Sequence, residues 1–165
     1  AKVVRVNTCE EMLNATIEEL RGREYQYIFL SAAPLDYKFA EKFSGKIPSE
    51  RGELNVKLVA TPKISSQVRR YAENSVIVGF KAEYGVSLEE MVERAYKRLL
   101  ENNLDLIVAN DVSRRDIGFE SEYNEVYIID AKKNVTHVPK MRKRMIAREI
   151  IKRALEIEKY KNIKK

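Results

Sequence analysis

Apolar and polar residues change their period several times along the chain, and each change marks a predicted element. Lys2 to Asn7 is a short β-branched run that predicts a strand. Thr8 and Glu11 then stand at capping-box spacing, and Met12, Leu13, Ile17 and Leu20 recur along one helical face until Gly22. Tyr25 to Leu30 predicts a second strand. Ser31 to Lys46 keeps no regular period and is broken at Pro34; long loops of this kind are often functional. Glu53 to Ala60 alternates Leu54, Val56 and Leu58 with polar neighbours, the pattern of a half-exposed strand. Pro62 can open a helix through Glu73, because a proline at the first helical position loses no useful N–H.

The second half is more regular. Ser75 to Ala82 and Leu104 to Ala109 are continuous apolar runs, as expected of strands covered on both faces. Between them Ser87 and Glu90 form a second capping box ahead of the stripe Leu88, Met91, Val92, Ala95 and Leu99, which ends near Asn102. Glu125 to Asp130 predicts a strand that pairs with Val135 to Val138 across the turn Ala131 to Asn134. A final helix is predicted from Pro139 to about Tyr160, with Met141, Met145, Ile150 and Leu155 on one side. Strands alternating with helices predict an α/β fold with a mostly parallel sheet, and 165 residues suit one domain.

Composition narrows the function classes. The longest apolar runs, such as Ile77 to Phe80, fall far short of the roughly 18 residues that span a bilayer. The single cysteine, Cys9, asks for no oxidising compartment, so a cytoplasmic location without a membrane partner is expected. The net charge of +6 is concentrated at the end: residues 138–165 carry +8 and the remainder −2. A basic, solvated helix face explains this without nucleic acid, and no zinc spacing, glycine clamp or aromatic-rich RNA-binding signature accompanies it. The six glycines form neither a dinucleotide fingerprint nor a P-loop. His137 has no Cys or His companions, so no protein-built metal site is expected.

In open α/β sheets ligands bind beyond the carboxyl ends of the strands. The segments read there are Ser31-Ala32-Ala33-Pro34-Leu35-Asp36-Tyr37, Gly79-Phe80-Lys81-Ala82-Glu83 and Ala109-Asn110-Asp111-Val112-Ser113. Ala32 and Ala33 leave backbone N–H groups open, and Asp36 can accept from ligand hydroxyl or amino groups or simply cap a turn. Lys46, after Gly45, is either solvated surface or a cation that closes over phosphate. Asn110 and Asp111 suit a turn pair as well as a ligand contact. Cys9 reads as structural, since no base stands near it in sequence.

Together these segments resemble the phosphopantothenate-cysteine ligase domain, found alone or fused behind a flavin-dependent decarboxylase. The resemblance rests on seven motifs in order: Asn7-Thr8-Cys9-Glu10-Glu11-Met12; Ser31 to Tyr37; Gly45-Lys46-Ile47; Leu58-Val59-Ala60-Thr61-Pro62-Lys63-Ile64; Val78-Gly79-Phe80-Lys81-Ala82-Glu83; Asn103 to Ser113; and Gly118-Phe119 with Ser121, Asn124 and Val126. It implies a three-layer, Rossmann-like sheet with helices on both faces. It also implies a two-step reaction in which the carboxylate of 4'-phosphopantothenate attacks the α-phosphate of a nucleotide, after which the cysteine amine displaces the nucleotide monophosphate. Mg²⁺ accompanies the nucleotide.

By the same resemblance Lys46 is the catalytic-loop cation. Leu30, Ser31, Ala32, Ala33 and Asp36 line the nucleotide and phosphopantothenate pocket, while Pro62, Lys63, Ile64, Ser65 and Phe80 hold the nucleotide. The family's lysine pair falls on Arg98, which keeps the charge, and Asn102, which does not; CTP is the expected co-substrate and ATP the alternative. A homodimer through Glu53 to Ala60 is implied. So is an upstream glycine-loop half of the domain, which makes residues 1–165 its C-terminal part and leaves the chain weakly active or inactive alone. Asp36, Phe80 and the Lys46 loop should share one cavity. The alternative is a non-catalytic nucleotide or nucleic-acid binding module that uses the basic terminal helix, with steeply salt-dependent binding spread over Arg142 to Arg144.

Overall fold

The computed structural model describes residues 1–41, 43–47, 52–118 and 120–163; Lys42 of the irregular segment and Phe119 of the seventh motif lie outside them. Helix α1 (Cys9–Gly22) starts where the first capping box places it. The Thr8 hydroxyl accepts the Glu11 N–H at 3.1 Å, and the Glu11 carboxylate accepts the Asn7 N–H at 2.7 Å. Strand β1 (Tyr27–Leu30) follows, and then a short antiparallel ribbon of β2 (Tyr37–Phe39) and β3 (Leu58–Ala60). The remaining elements are α2 (Ser65–Tyr71), β4 (Val76–Glu83), α3 (Leu88–Glu101), β5 (Leu106–Asp111), β6 (Tyr123–Asp130), β7 (Val135–Arg142) and α4 (Lys143–Ile163). Ser87 caps α3 by accepting the Glu90 N–H at 3.1 Å.

Five strands form one sheet in the order β1-β4-β5-β6-β7. The β1–β4 and β4–β5 pairings are parallel and the β5–β6 and β6–β7 pairings antiparallel, so β1, β4, β5 and β7 point one way and β6 the other. Alternate strand residues feed two cores. On one face Ile77, Ile107, Ala109 and Ile129 pack against Ile64 and Val68 of the α2 region and Met91, Ala95 and Leu99 of α3, with Met12, Leu13 and Leu20 of α1 at the margin. On the other, Val76, Val78, Leu106, Val108, Val126 and Ile128 pack against Ile146, Ile150 and Ala154 of α4. The mostly parallel, three-layer α/β fold expected from the sequence is therefore present.

Gly79 belongs where it is because of Leu104. A Cβ built there would lie 2.5 Å from the Leu104 Cδ1 atom, so any larger residue would push this leucine side chain out of its place in the core beneath α3. Asp105, next to it, ties the amino ends of β4 and β5 together. Its carboxylate accepts from the Arg69 guanidinium at 2.6 Å and the Ile77 N–H at 2.8 Å and pairs with Lys161 at 2.6 Å. Within the Asn103 to Ser113 motif, this acid acts through architecture.

Four boundaries differ from the sequence expectation. Lys2 to Asn7 forms no strand; Val3 and Val4 are exposed, and no strand among the described residues supplies the ladder that a β-branched run needs. Only the last three residues of Glu53 to Ala60 are strand, paired antiparallel with Tyr37–Phe39, and one further bond, from the Ala40 N–H to the Lys57 carbonyl, continues the contact. Helix α2 begins at Ser65 instead of at Pro62, since Ile64 is driven into the core and the chain turns there. Pro139 lies inside β7 and does not start α4. β7 is the sheet edge and its register shifts at this point, so the missing N–H costs no ladder bond.

Candidate functional site

The carboxyl ends of β1, β4 and β5 share one edge of the sheet because these strands run parallel. From Leu30, packed at the margin of the α3-side core, the chain leaves through Ser31, Ala32 and Ala33, all exposed. The Asp36 carbonyl accepts the Thr61 N–H at 2.9 Å and the Thr61 hydroxyl donates to the Leu35 carbonyl, which hold this turn against the end of β3. Beneath it, on the α3 face, lies a cleft of about 610 Å³. Five cations line it (Lys63, Lys81, Arg94, Lys97 and Arg98) against the acids Asp36, Glu83 and Glu101. The surplus of positive charge suits an anionic ligand.

Of the residues singled out in the sequence, the structure brings Asp36, Lys63 and Arg98 together in this cleft. Arg98 and Lys63 form no ion pair among the described residues, so both charges are available to a ligand. Pro62 is half-buried between Thr61 and Lys63. Ile64 is committed to the core. The Ser65 hydroxyl donates to Asn102 Oδ1 at 3.0 Å, and the buried Asn102 amide donates onward to the Arg98 carbonyl at 2.8 Å. Ser65 and Asn102 thus lock α2 to the end of α3 and are spent on each other.

Phe80 points elsewhere. With Phe29, Val108, Asn110, Ile146 and Ile150 it lines an apolar cleft of about 360 Å³ on the α4 face. Neighbouring strand residues point to opposite faces, so Phe80 and Lys81 serve different clefts. Lys46 is exposed and lines neither; Gly45 before it has φ +99°, a left-handed turn that glycine alone adopts easily. The expectation that Asp36, Phe80 and the Lys46 loop share one cavity does not hold among the described residues.

Sequence reasoning missed Lys81, Glu83 and Arg94. The sequence placed Gly79 to Glu83 at the ligand-facing end of a strand expected to stop at Ala82, without singling out these side chains; all five residues belong to β4, where the period of two sets Lys81 and Glu83 on the cleft side. Asp111 organises a turn: it accepts the N–H groups of Ser113 at 2.9 Å and Gly85 at 3.1 Å and the Ser113 hydroxyl at 2.8 Å. The Ser113 N–H foremost holds its carboxyl below the usual carboxylate range. Asn110 donates to Asn124 at 3.5 Å. Cys9 reaches only the Leu35 carbonyl, at 3.7 Å. His137 bonds Glu125 at 2.7 Å and stacks on Tyr127. No three His, Cys, Asp or Glu side chains among the described residues are grouped to hold a metal, and no described helix is long and apolar enough to cross a membrane.

The family model described as "DNA/pantothenate metabolism flavoprotein C-terminal domain" matches residues 1–157. The chain belongs to this family. A coenzyme A biosynthesis bifunctional protein CoaBC from Methanocaldococcus jannaschii is 43% identical over 125 residues, which are 76% of this chain and 30% of that protein. The CoaBC protein of Thermococcus kodakarensis is 38% identical over 150 residues, 89% of this chain and 35% of the relative. The chain thus spans about a third of the length of the curated relatives it matches. Among solved structures, a C-terminal domain of CoaBC superposes with a TM-score of 0.67 at 27% identity, covering 93% of this chain and 66% of that one. The family's flavoprotein from Streptococcus pneumoniae shares the fold, with a TM-score of 0.76 at 22% identity over 92% of this chain and 71% of its own. The resemblance carried by the seven motifs is borne out by these matches.

Proposed function

We propose that this chain carries the nucleotide-handling part of a phosphopantothenate-cysteine ligase in coenzyme A biosynthesis. The observation that supports this most is the cationic cleft beneath the Ser31–Asp36 turn, at the sheet edge where such folds bind ligands, in a chain whose relatives are coenzyme A biosynthesis proteins. In this reading the nucleotide phosphates enter the cleft and meet Lys63 and Arg98. The exposed Ala32 and Ala33 N–H groups and the Asp36 carboxylate orient the nucleotide and 4'-phosphopantothenate at the rim. Lys46, carried on the Gly45 turn, closes over the phosphates as the carboxylate attacks the α-phosphate. Positive charge stabilises the phosphate charge that builds in that step, and again when the cysteine amine displaces the nucleotide monophosphate.

The co-substrate is CTP, with ATP as the second choice. Mg²⁺ arrives with the triphosphate and neutralises part of its charge; a cleft with scattered single carboxylates suits an ion carried largely by phosphate oxygens. Phe80, on the other face, contributes from the apolar side of the same sheet edge. A flavin-dependent decarboxylase domain fits as a fused or separate partner. Mixing the protein and the upstream glycine-loop half that the resemblance implies with 4'-phosphopantothenate, Mg²⁺ and CTP or ATP is expected to release pyrophosphate, and adding cysteine to release the nucleotide monophosphate, with little or no product from residues 1–165 alone. Monophosphate release that ignores cysteine would contradict the reading.

The β2–β3 ribbon supports a homodimer. Tyr37, Phe39 and Leu58 on it, and Leu35 just before it, are each more than half exposed, apolar surface that a second copy would cover. Sedimentation should show a dimer that Phe39→Glu converts to monomer; a monomeric parent protein would refute the contact.

A further inference from the structure

Lys81 and Glu83 follow Gly79 along β4 in steps of two, so their side chains stand on the α3 side and line the cationic cleft. The Glu83 side chain is only 7% exposed. Arg94 donates to its Oε2 at 3.0 Å, and Glu90 engages the same guanidinium from the helix. On the other oxygen, Oε1, Lys81 Nζ lies 3.2 Å away without hydrogen-bond alignment. That oxygen is the one buried side-chain N or O among the described residues that no hydrogen bond reaches. Glu83 is therefore firmly held on its Arg94 side and loosely engaged on its Lys81 side.

We propose that Lys81 is a phosphate-contacting cation of this cleft, parked against Glu83 while the cleft is empty and released to the polyphosphate of a nucleoside triphosphate when one binds. The proposal rests on the reading of the cleft as the nucleotide site. Its energetics follow from the uneven grip on Glu83. An ion pair that breaks normally strands a buried charge, but Arg94 keeps Glu83 paired after Lys81 departs. The ammonium sits on a flexible four-carbon stem and trades a misaligned carboxylate for phosphate oxygens, which are strong acceptors for a compact cation. Asn102 is buried and neutral and adds nothing to the cleft's charge, so Lys81 adds positive charge from the strand side to that of Lys63 and Arg98.

Calorimetric titration of the full chain with Mg²⁺-CTP, Mg²⁺-ATP and the corresponding monophosphates tests this, with thermal melts confirming that each variant is folded. Lys81→Ala is expected to weaken triphosphate binding roughly tenfold and monophosphate binding by less than about twofold, and Lys81→Arg to keep most of the triphosphate affinity. Glu83→Gln removes the parking site and is expected to tighten triphosphate binding by about threefold; should it fail to fold, the two Lys81 variants decide alone. If Lys81→Ala binds triphosphate like the parent while Arg98→Ala binds it weakly, the assignment of Lys81 is wrong and the cleft reading stands. If the parent binds no triphosphate, or Arg98→Ala binds as the parent does, the cleft reading fails and takes Lys81 with it.

Discussion

With the upstream glycine-loop half supplied, Lys46→Ala is expected to lower the rate of phosphopantothenate-cysteine coupling by about 100- to 1,000-fold, the range found when one preorganised group that meets developing negative charge is removed. Arg142→Ala should leave it within about twofold. No side chain among the described residues pairs with Lys46, so its charge is uncommitted until a ligand arrives, and the Gly45 turn gives it reach. Arg142 ends β7, the edge strand three places from β4 in the sheet, and does not line the cleft. Steady-state assay of both variants discriminates the ligase reading from a binding module built on the basic terminal helix. The reverse pattern, with strong dependence on Arg142 and steep sensitivity to salt, would favour the latter.

The second large effect concerns stability. Asp105→Ala is expected to destabilise the fold by about 3 kcal/mol, because it leaves Arg69, the Ile77 N–H and Lys161 without their shared acceptor in a site where the carboxylate is 13% exposed. For a domain of this size that corresponds to a melting temperature lower by roughly 6 to 12 °C. Arg69 keeps its bonds to the carbonyls of Asn103, Ala72, Glu73 and Ser75, so the loss falls short of a fully stranded guanidinium. Thermal unfolding of the variant checks this; a change of less than about 1 kcal/mol would mean that Arg69 and Lys161 find new partners.

What the sequence disclosed, and what it concealed, divides along physical lines. Thr8 and Ser87 announced their helices because a cap is a local interaction, decided within four residues. The runs over β4 and β5 announced buried strands because both of their faces are covered, which leaves no polar phase to confuse the pattern. Lys2 to Asn7 and Pro139 misled because strand formation depends on a neighbour and on edge position, neither of which is written locally.

The site followed the same rule. Asp36, Lys63 and Arg98 could be named from motif position, and they do converge. Ser65 and Asn102 could be named too, but only the fold shows that they bond each other. Lys81, Glu83 and Arg94 stayed hidden because their meeting depends on the phase of β4 against α3, a relation between two elements that neither one carries alone.

Amide chemical shifts recorded during a titration with Mg²⁺-CTP and Mg²⁺-ATP test most directly whether nucleotide phosphates bind in the α3-face cleft. Shifts should concentrate at Ala32, Ala33, Asp36, Thr61, Lys63 and Arg98, with Phe80 following more weakly through the strand. Shifts confined to Phe29, Ile146 and Ile150 on the α4 face, or to the basic residues Arg142 to Arg148, would contradict it.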